Sequence, residues 1–144
     1  MRVLLDTSVL VAAMVESHPS HAIALPRLQN IKAGTDTGIV AAHSLAERYA
    51  ILTRLPVRPR ISPAVAQQLI QQNVVNTCEV VFLSDKDYIA VIDHLSSLGV
   101  TGGATYDALI LHAAVIANVD QIVTLNEKDF RRVYPSLSDK IVSP

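Results

Sequence analysis

The sequence has a single cysteine, no tryptophan and only two phenylalanines among its 144 residues. One thiol excludes an internal disulfide framework and a cysteine-based zinc site. With so few aromatic side chains, small aliphatic residues must fill the core, and half of all residues are hydrophobic. This length and composition predict one domain over residues 1–144. Cys78 begins the apolar run 78–83, which favours a buried strand position over a reactive thiol.

Long hydrophobic runs are also absent. No uninterrupted apolar segment approaches the roughly 20 residues that a membrane-spanning helix requires. Asp6 interrupts the apolar stretch after Met1 and Arg2, and a charge at that place argues against a secretory signal. We therefore expect a soluble cytoplasmic protein without a membrane partner.

Neither sign of charge is in excess, since 12 lysines and arginines stand against 13 acids. This balance disfavours a protein that grips long stretches of nucleic acid. The charges are nevertheless unevenly distributed, because segment 48–78 has four arginines and no acid. Such a basic segment can hold a short polyanion near an acidic site, although an ordinary solvated helix face explains it equally well. These four residues are Arg48, Arg54, Arg58 and Arg60.

Short apolar runs alternate with helical segments along the chain. The predicted strands are 2–6, 37–41, 78–83 and 121–125, with 141–142 as a candidate fifth. The predicted helices are 8–16, 20–33, 45–54, 63–76, 85–99, 105–118 and 127–133. This alternation predicts an α/β fold with βαβ crossovers, that is, a mostly parallel sheet of four to five strands with helices on both faces.

Local signals refine several of these helices. Pro26 is expected to bend or split the second helix, and Thr105 to cap the sixth. Ser44 and Glu47 have the spacing of a capping box, in which the acid reaches back to the N–H of the cap residue. Two prolines exclude a helix over 55–60, which reads as an arginine-bearing surface loop.

Four acidic residues stand where an apolar run gives way to a helix. In an open parallel sheet such junctions gather at one edge, the usual place for a ligand. Carboxylates brought together there repel one another, and a divalent cation relieves that repulsion. Oxygen donors without cysteine suit Mg²⁺, or Mn²⁺, better than zinc. The four residues are Asp6, Glu47, Asp107 and Asp129.

Each acid also has a purely structural explanation. Glu47 fits the capping box, and the other three fit helix caps or first turns, where the helix dipole favours an acid. Asp107 is the hardest to explain this way, because it is the only charge between Asp93 and Asp120 on an otherwise apolar helix. A lone carboxylate beside a core is costly unless it is paired.

Other chemistries have weaker support. His18 and His21 lie close in sequence but lack a third ligand at zinc-site spacing, and His112 is expected to be a packed histidine. The glycine-rich segment 99–103 is not followed by the Gly-Lys-Ser/Thr of a phosphate-binding loop. No Gly-x-Ser-x-Gly motif is present, which leaves serine hydrolase chemistry without support.

The segments around these acids resemble the motifs of PIN-domain ribonucleases, and their order and spacing agree over nearly the whole chain. The length is similar to that of the VapC toxins of toxin–antitoxin pairs. The resembling segments are Leu4-Leu5-Asp6-Thr7-Ser8-Val9-Leu10, Ala46-Glu47-Arg48-Tyr49-Ala50-Ile51-Leu52-Thr53-Arg54-Leu55-Pro56, Tyr106-Asp107-Ala108-Leu109-Ile110 and Ile122-Val123-Thr124-Leu125-Asn126-Glu127-Lys128-Asp129-Phe130.

The resemblance implies a three-layer α/β/α sandwich, a carboxylate pocket that binds Mg²⁺ or Mn²⁺, and endonucleolytic cleavage of RNA. Asp6, Glu47 and Asp107 match the three best-defined acidic positions of the family. Asn126 stands where many members carry an acid, which leaves the fourth position open between Asn126 and Asp129. The supporting hydroxyl positions are matched by Thr7 or Ser8, and by Thr124.

The same resemblance implies a homodimer and a small antitoxin that covers the pocket. The resulting hypothesis is metal-assisted hydrolysis of an RNA phosphodiester, with the four arginines of segment 48–78 on flanking phosphates. One alternative is a catalytically degenerate domain of this type, kept for partner binding. Another is a phosphatase with an aspartyl nucleophile, which requires a second aspartate at the position of Ser8.

Overall fold

The computed structural model describes residues 1–144 and contains one five-stranded sheet, in which every neighbouring pair of strands is parallel. The strand order is β3-β2-β1-β4-β5. The strands are β1 (Arg2–Leu5), β2 (Thr37–Ala41), β3 (Cys78–Val81), β4 (Gln121–Val123) and β5 (Ile141–Val142). The predicted parallel α/β fold is confirmed, including the fifth strand.

Seven α-helices connect and cover these strands. They are α1 (Thr7–Met14), α2 (His21–Lys32), α3 (Ala42–Arg54), α4 (Pro63–Ile70), α5 (Asp85–Leu98), α6 (Ala104–Ile116) and α7 (Glu127–Val133). A π-helical turn, Gln71–Val75, extends α4, and a 3-10 helix, Pro135–Lys140, precedes β5. None of the helices combines the length and apolar character that crossing a bilayer would require.

Alternate residues of each strand point to opposite faces of the sheet, and each face has its own core. Leu4 and Ile39 pack with α5, α6 and α7. Leu5 and Val40 pack with α1 and α2. Helices therefore cover both faces, which confirms the three-layer sandwich.

The close packing of α2 on the sheet depends on a glycine in β2, Gly38. A Cβ added at Gly38 would lie 2.9 Å from side-chain carbons of Ile31 and 2.8 Å from Cys78 Sγ. Glycine thus lets α2 and the start of β3 pack directly on β2. Cys78 is in a strand, as expected, but it is half-buried rather than fully buried, and burial raises the pKa of its thiol.

Three expected local features are absent: a break of α2 at Pro26 and helix caps at Ser44 and Thr105. Pro26 does not split α2, since the helix runs from His21 to Lys32 and keeps its buried stripe on the sheet. Ser44 is not a cap, because α3 begins at Ala42 and the Ser44 hydroxyl donates instead to Ala41 O at 2.6 Å. Thr105 lies inside α6, and its hydroxyl donates to Gly102 O at 2.8 Å.

Candidate active site

The site lies at the topological switch point of the sheet, where the chain begins to add strands on the other side of β1. β1 is central, with β2 on one side and β4 on the other. Ligands of open α/β sheets bind beyond the carboxyl ends of the strands at such a switch point. Asp6 is the first residue after β1, and its backbone N–H donates to Val123 O of β4 at 3.0 Å. The fold therefore places Asp6 at the switch point.

The carboxylate of Asp6 is buried, with 4% of the residue exposed, and it caps α1. Its Oδ1 accepts a 2.7 Å hydrogen bond from the Thr7 backbone N–H. Its Oδ2 accepts from the hydroxyls of Ser8, at 2.8 Å, and Thr124, at 2.9 Å. The structural and functional explanations of Asp6 are thus compatible, since one carboxylate both caps the helix and faces the end of β4.

The two hydroxyls are themselves held in place by the segment after β4. Leu125 N–H donates to Ser8 Oγ at 3.3 Å, and Asn126 N–H donates to Thr124 Oγ1 at 3.0 Å. Both hydroxyl hydrogens are therefore directed towards Asp6. Thr7 differs, because its Oγ1 is buried and has no hydrogen-bond partner.

Asp107 lies in the first turn of α6 and is half-buried. Its pKa is raised to about 6, most of all by burial and then by the negative charges of Asp6, Asp129 and Glu47, while Arg132 opposes them. Four segments that are distant in sequence thus bring their carboxylates close enough to act on one another. That these four carboxylates share one metal site stays a prediction.

Glu47 lies on α3 and is half-buried. Burial and the charge of Asp6 raise its pKa, and Arg48 partly offsets this. His43 Nε2 is 3.4 Å from Glu47 Oε1, but the two atoms do not form a hydrogen bond and both lack a partner. Burial and then Arg48 lower the pKa of His43, which keeps it neutral at pH 7. Its contact with Glu47 is therefore not a salt bridge at that pH.

The two candidates for the fourth position differ in what they contribute. Asp129 is exposed in the first turn of α7, and its charge acts on Asp107. Asn126 caps α7 without a side-chain hydrogen bond, and its backbone N–H holds Thr124. The fourth position stays open between these two residues.

The carboxylates do not form a closed cluster. No three acidic, histidine or cysteine side chains are gathered tightly enough to make a complete metal-binding group. The donors nevertheless fit a hard cation, because they are repelling carboxylates and because Glu47 Oε1 and Thr7 Oγ1 are buried without a partner. Mg²⁺ usually keeps several waters and needs only one or two carboxylates. An open arrangement of this kind therefore suits it.

Arg48 does not lie at the surface, which contradicts its expected role as a contact to RNA. It is 0% exposed and faces the core together with Ser44 and Leu52. The spacing i, i+4, i+8 of these residues is the signal that sequence reasoning missed. Arg54, Arg58 and Arg60 are exposed.

Besides the burial of Arg48, sequence reasoning also missed His43, which lies near Glu47. Its spacing of four residues before Glu47 places both on one helical face, and this would have revealed it. His112 is a packed histidine, as expected, with Nε2 3.1 Å from Asp87 Oδ1 and Nδ1 3.4 Å from the Tyr134 hydroxyl.

Comparison with known proteins adds independent information on the family. The PIN domain model matches residues 3–135. Ribonuclease VapC40 of Mycobacterium tuberculosis is 37% identical over 106 residues, which are 73% of this chain and 72% of the relative. Ribonuclease VapC27 of the same organism is 33% identical over 109 residues, 76% of this chain and 74% of the relative.

Two solved structures share the fold. VapBC2 from Rickettsia felis, bound to a DNA fragment from its promoter, aligns with a TM-score of 0.66 and 22% identity over 100% of this chain and 98% of that one. VapC20 of M. tuberculosis, described as a toxin that cleaves the sarcin–ricin loop, aligns with a TM-score of 0.65 and 15% identity. The alignment covers 83% of this chain and 86% of that one. With the model match and the two VapC relatives, the fold and the placement of the acids lead to one conclusion: the chain belongs to the PIN-domain family.

Proposed function

We propose that this protein is a Mg²⁺- or Mn²⁺-dependent endoribonuclease, the toxin component of a toxin–antitoxin pair. The observation that carries the proposal is the buried carboxylate of Asp6 at the end of β1, which Ser8 and Thr124 hold in place. The charges of Asp6, Glu47 and Asp129 also contribute to the raised pKa of Asp107. Repelling carboxylates are maintained in a fold where a cation stabilises them. The relatives named ribonuclease VapC support RNA as the substrate.

Asp6 and Asp107 would hold the ion, and Glu47 and Asp129 would complete its surroundings. A bound divalent ion supplies polarisation of the phosphoryl group and a lower pKa for an attacking water. The hydroxyls of Ser8 and Thr124 fix the orientation of Asp6 Oδ2. Asp107 must be ionised to act as a ligand, which its pKa allows at neutral pH.

Three exposed arginines are available to bind RNA phosphates outside the carboxylate site. Arg54 is in the last turn of α3, and Arg58 and Arg60 are in the following loop. Guanidinium groups bind phosphates with paired hydrogen bonds. We assign these three residues, without Arg48, to phosphates that flank the cleaved bond.

The proposed partners are a second copy of this chain, with which it forms a homodimer, and a small antitoxin. Ile89 and Ile92 on α5 are 58% and 60% exposed, and Phe82 just before this helix is 78% exposed. Exposed apolar side chains on one segment are available for a protein contact, and we assign this segment to the second copy. The Rickettsia felis neighbour, a VapBC complex, supports an antitoxin partner. Residues 1–144 act as one domain in this proposal, in the cytoplasm, where RNA is found.

The test compares the parental protein with Asp6→Asn and Asp107→Asn on a fluorogenic RNA, with Mg²⁺ or with a chelator. The matched control is Asp93→Asn, which removes an exposed carboxylate of α5 that has no hydrogen-bond partner. We expect both site variants, and the chelator, to abolish cleavage while the control cleaves normally. A folded Asp6→Asn protein that cleaves at the parental rate would overturn the proposed site. A parental protein that cleaves no RNA with either metal would favour the degenerate, partner-binding alternative.

A further inference from the structure

Arg48 is the largest fully buried side chain of the protein. It occupies the middle of the core-facing stripe of α3, where an apolar residue would be expected. A buried ion is costly unless other charges or hydrogen bonds compensate it. Its presence at this position therefore requires an explanation.

Hydrogen bonding does not provide that explanation. Arg48 Nη2 donates one long bond, 3.4 Å, to Leu5 O, while Nε and Nη1 are buried without a partner. Arg48 also forms no salt bridge with any carboxylate, although its guanidinium could form a paired one. Burial lowers its pKa to about 10, which leaves the group charged at neutral pH.

The explanation lies in the charges around it. Arg48 follows Glu47 directly, and its one acceptor, Leu5, directly precedes Asp6. The charges of Asp6 and Glu47 favour its protonated form. In the poorly solvated interior such interactions extend beyond contact distance. Arg48 is thus an internal cation that follows Glu47 in α3 and contacts the end of β1, one residue before Asp6.

We propose that Arg48 is a positioning residue whose buried positive charge balances Asp6 and Glu47 before a divalent ion binds. The open carboxylate site then remains folded without a metal. The same charge repels a divalent ion, so that Arg48 weakens metal binding. This inference rests on the proposed metal site and concerns how that site is balanced.

The balance predicts different effects on metal affinity for neutral and for charged replacements of Arg48. Arg48→Met and Arg48→Gln remove the charge, and we expect them to bind Mn²⁺ on the order of tenfold more tightly than the parental protein. Arg48→Lys keeps the charge and loses the guanidinium geometry, and it should bind Mn²⁺ as the parental protein does. Arg54→Met, which removes an exposed arginine of the same helix, is the matched control.

The experiment uses the full chain, freed of metal by chelation, and measures Mn²⁺ binding by calorimetry at about pH 8, where the carboxylates are ionised. Tighter binding in both neutral variants, with parental affinity in Arg48→Lys and Arg54→Met, is the expected result. A merely structural role would alter the melting temperature without altering the affinity. Parental affinity in the neutral variants overturns this inference alone. No Mn²⁺ binding in any variant overturns the proposed metal site and the inference with it.

A second measurement needs no metal. We expect Glu47→Gln to stabilise the metal-free protein more in the Arg48→Met background than in the parental one, because the acid has lost its counter-charge there. Strictly additive effects on unfolding in this double-mutant cycle would contradict the inference. If the neutral variants fold only with Mn²⁺ or with Glu47→Gln, the charge balance is supported. If neither restores folding, Arg48 is required for packing and the inference fails.

Discussion

The Thr124 hydroxyl donates a 2.9 Å hydrogen bond to Asp6 Oδ2 across 118 residues of sequence. Both groups are buried, and each follows one of two neighbouring strands of the sheet. The bond therefore ties the end of β4 to the carboxylate after β1. It makes the geometry of the site depend on how these two strands are paired.

Replacing Thr124 with valine removes this bond and leaves the Asn126 N–H without its acceptor. We expect a loss of about 1–3 kcal/mol in the free energy of unfolding, because a buried polar group loses its partner. RNA cleavage should fall as well, since Asp6 loses one of the groups that orient it. Denaturant unfolding and a cleavage assay check this. Thr53→Val is the control, because that hydroxyl bonds only within its own helix, and equal losses in both variants would contradict the prediction.

The raised pKa of Asp107 predicts how the stability of the metal-free protein changes with pH. Its folded pKa of about 6 lies above the ordinary value of 3.8, so the folded state binds more protons between these values. Stability should therefore fall as pH rises from about 4 to about 6 and then level off. The raised pKa of Glu47 acts in the same direction.

Thermal melting across this pH range checks the prediction in the parental protein and in Asp107→Asn. The variant should lose most of the pH dependence, because an amide does not titrate. Asp93→Asn should retain it. An unchanged pH profile in Asp107→Asn would show that this carboxylate has an ordinary pKa.

Adding a divalent cation should stabilise the protein. At a concentration of about 100 times the dissociation constant, binding to the folded state contributes about 2.7 kcal/mol. Melting with Mg²⁺ or Mn²⁺, at a pH above the pKa of Asp107, measures this gain. Asp6→Asn should show little or none of it, and equal stabilisation of both proteins would mean that the ion binds elsewhere.

The exposed arginines of the loop after α3 should affect RNA binding more than chemistry. We expect the double variant Arg58→Ala/Arg60→Ala to raise KM with little change in kcat, because each residue contacts a phosphate outside the reacting bond. The salt dependence of RNA binding should also become shallower by about one unit for each arginine removed. Lys86→Ala, in the first turn of α5, is the control. A fall in kcat without a change in KM would assign these arginines to catalysis instead.

Much of the fold was predictable because its signals are local. The apolar runs and the turn residues between them located all five strands and all seven helices, with boundary differences of a few residues. The errors lie at Ser44, Pro26 and Thr105. Each of these residues has a strong cap or break preference that the packing of its helix against the sheet overrides.

The sequence by itself determined the supply of carboxylates and their positions after strands, since those depend only on the order of residues along the chain. Only the tertiary structure decided that the Thr124 hydroxyl donates to Asp6 and that Arg48 is buried in the core. It also decided that the acidic side chains do not form a tight metal-binding group. Arginine has a strong preference for the surface, and nothing local shows which face of α3 is covered. Burial is a property of packed neighbours, and those come together only when the strands pair and the helices dock.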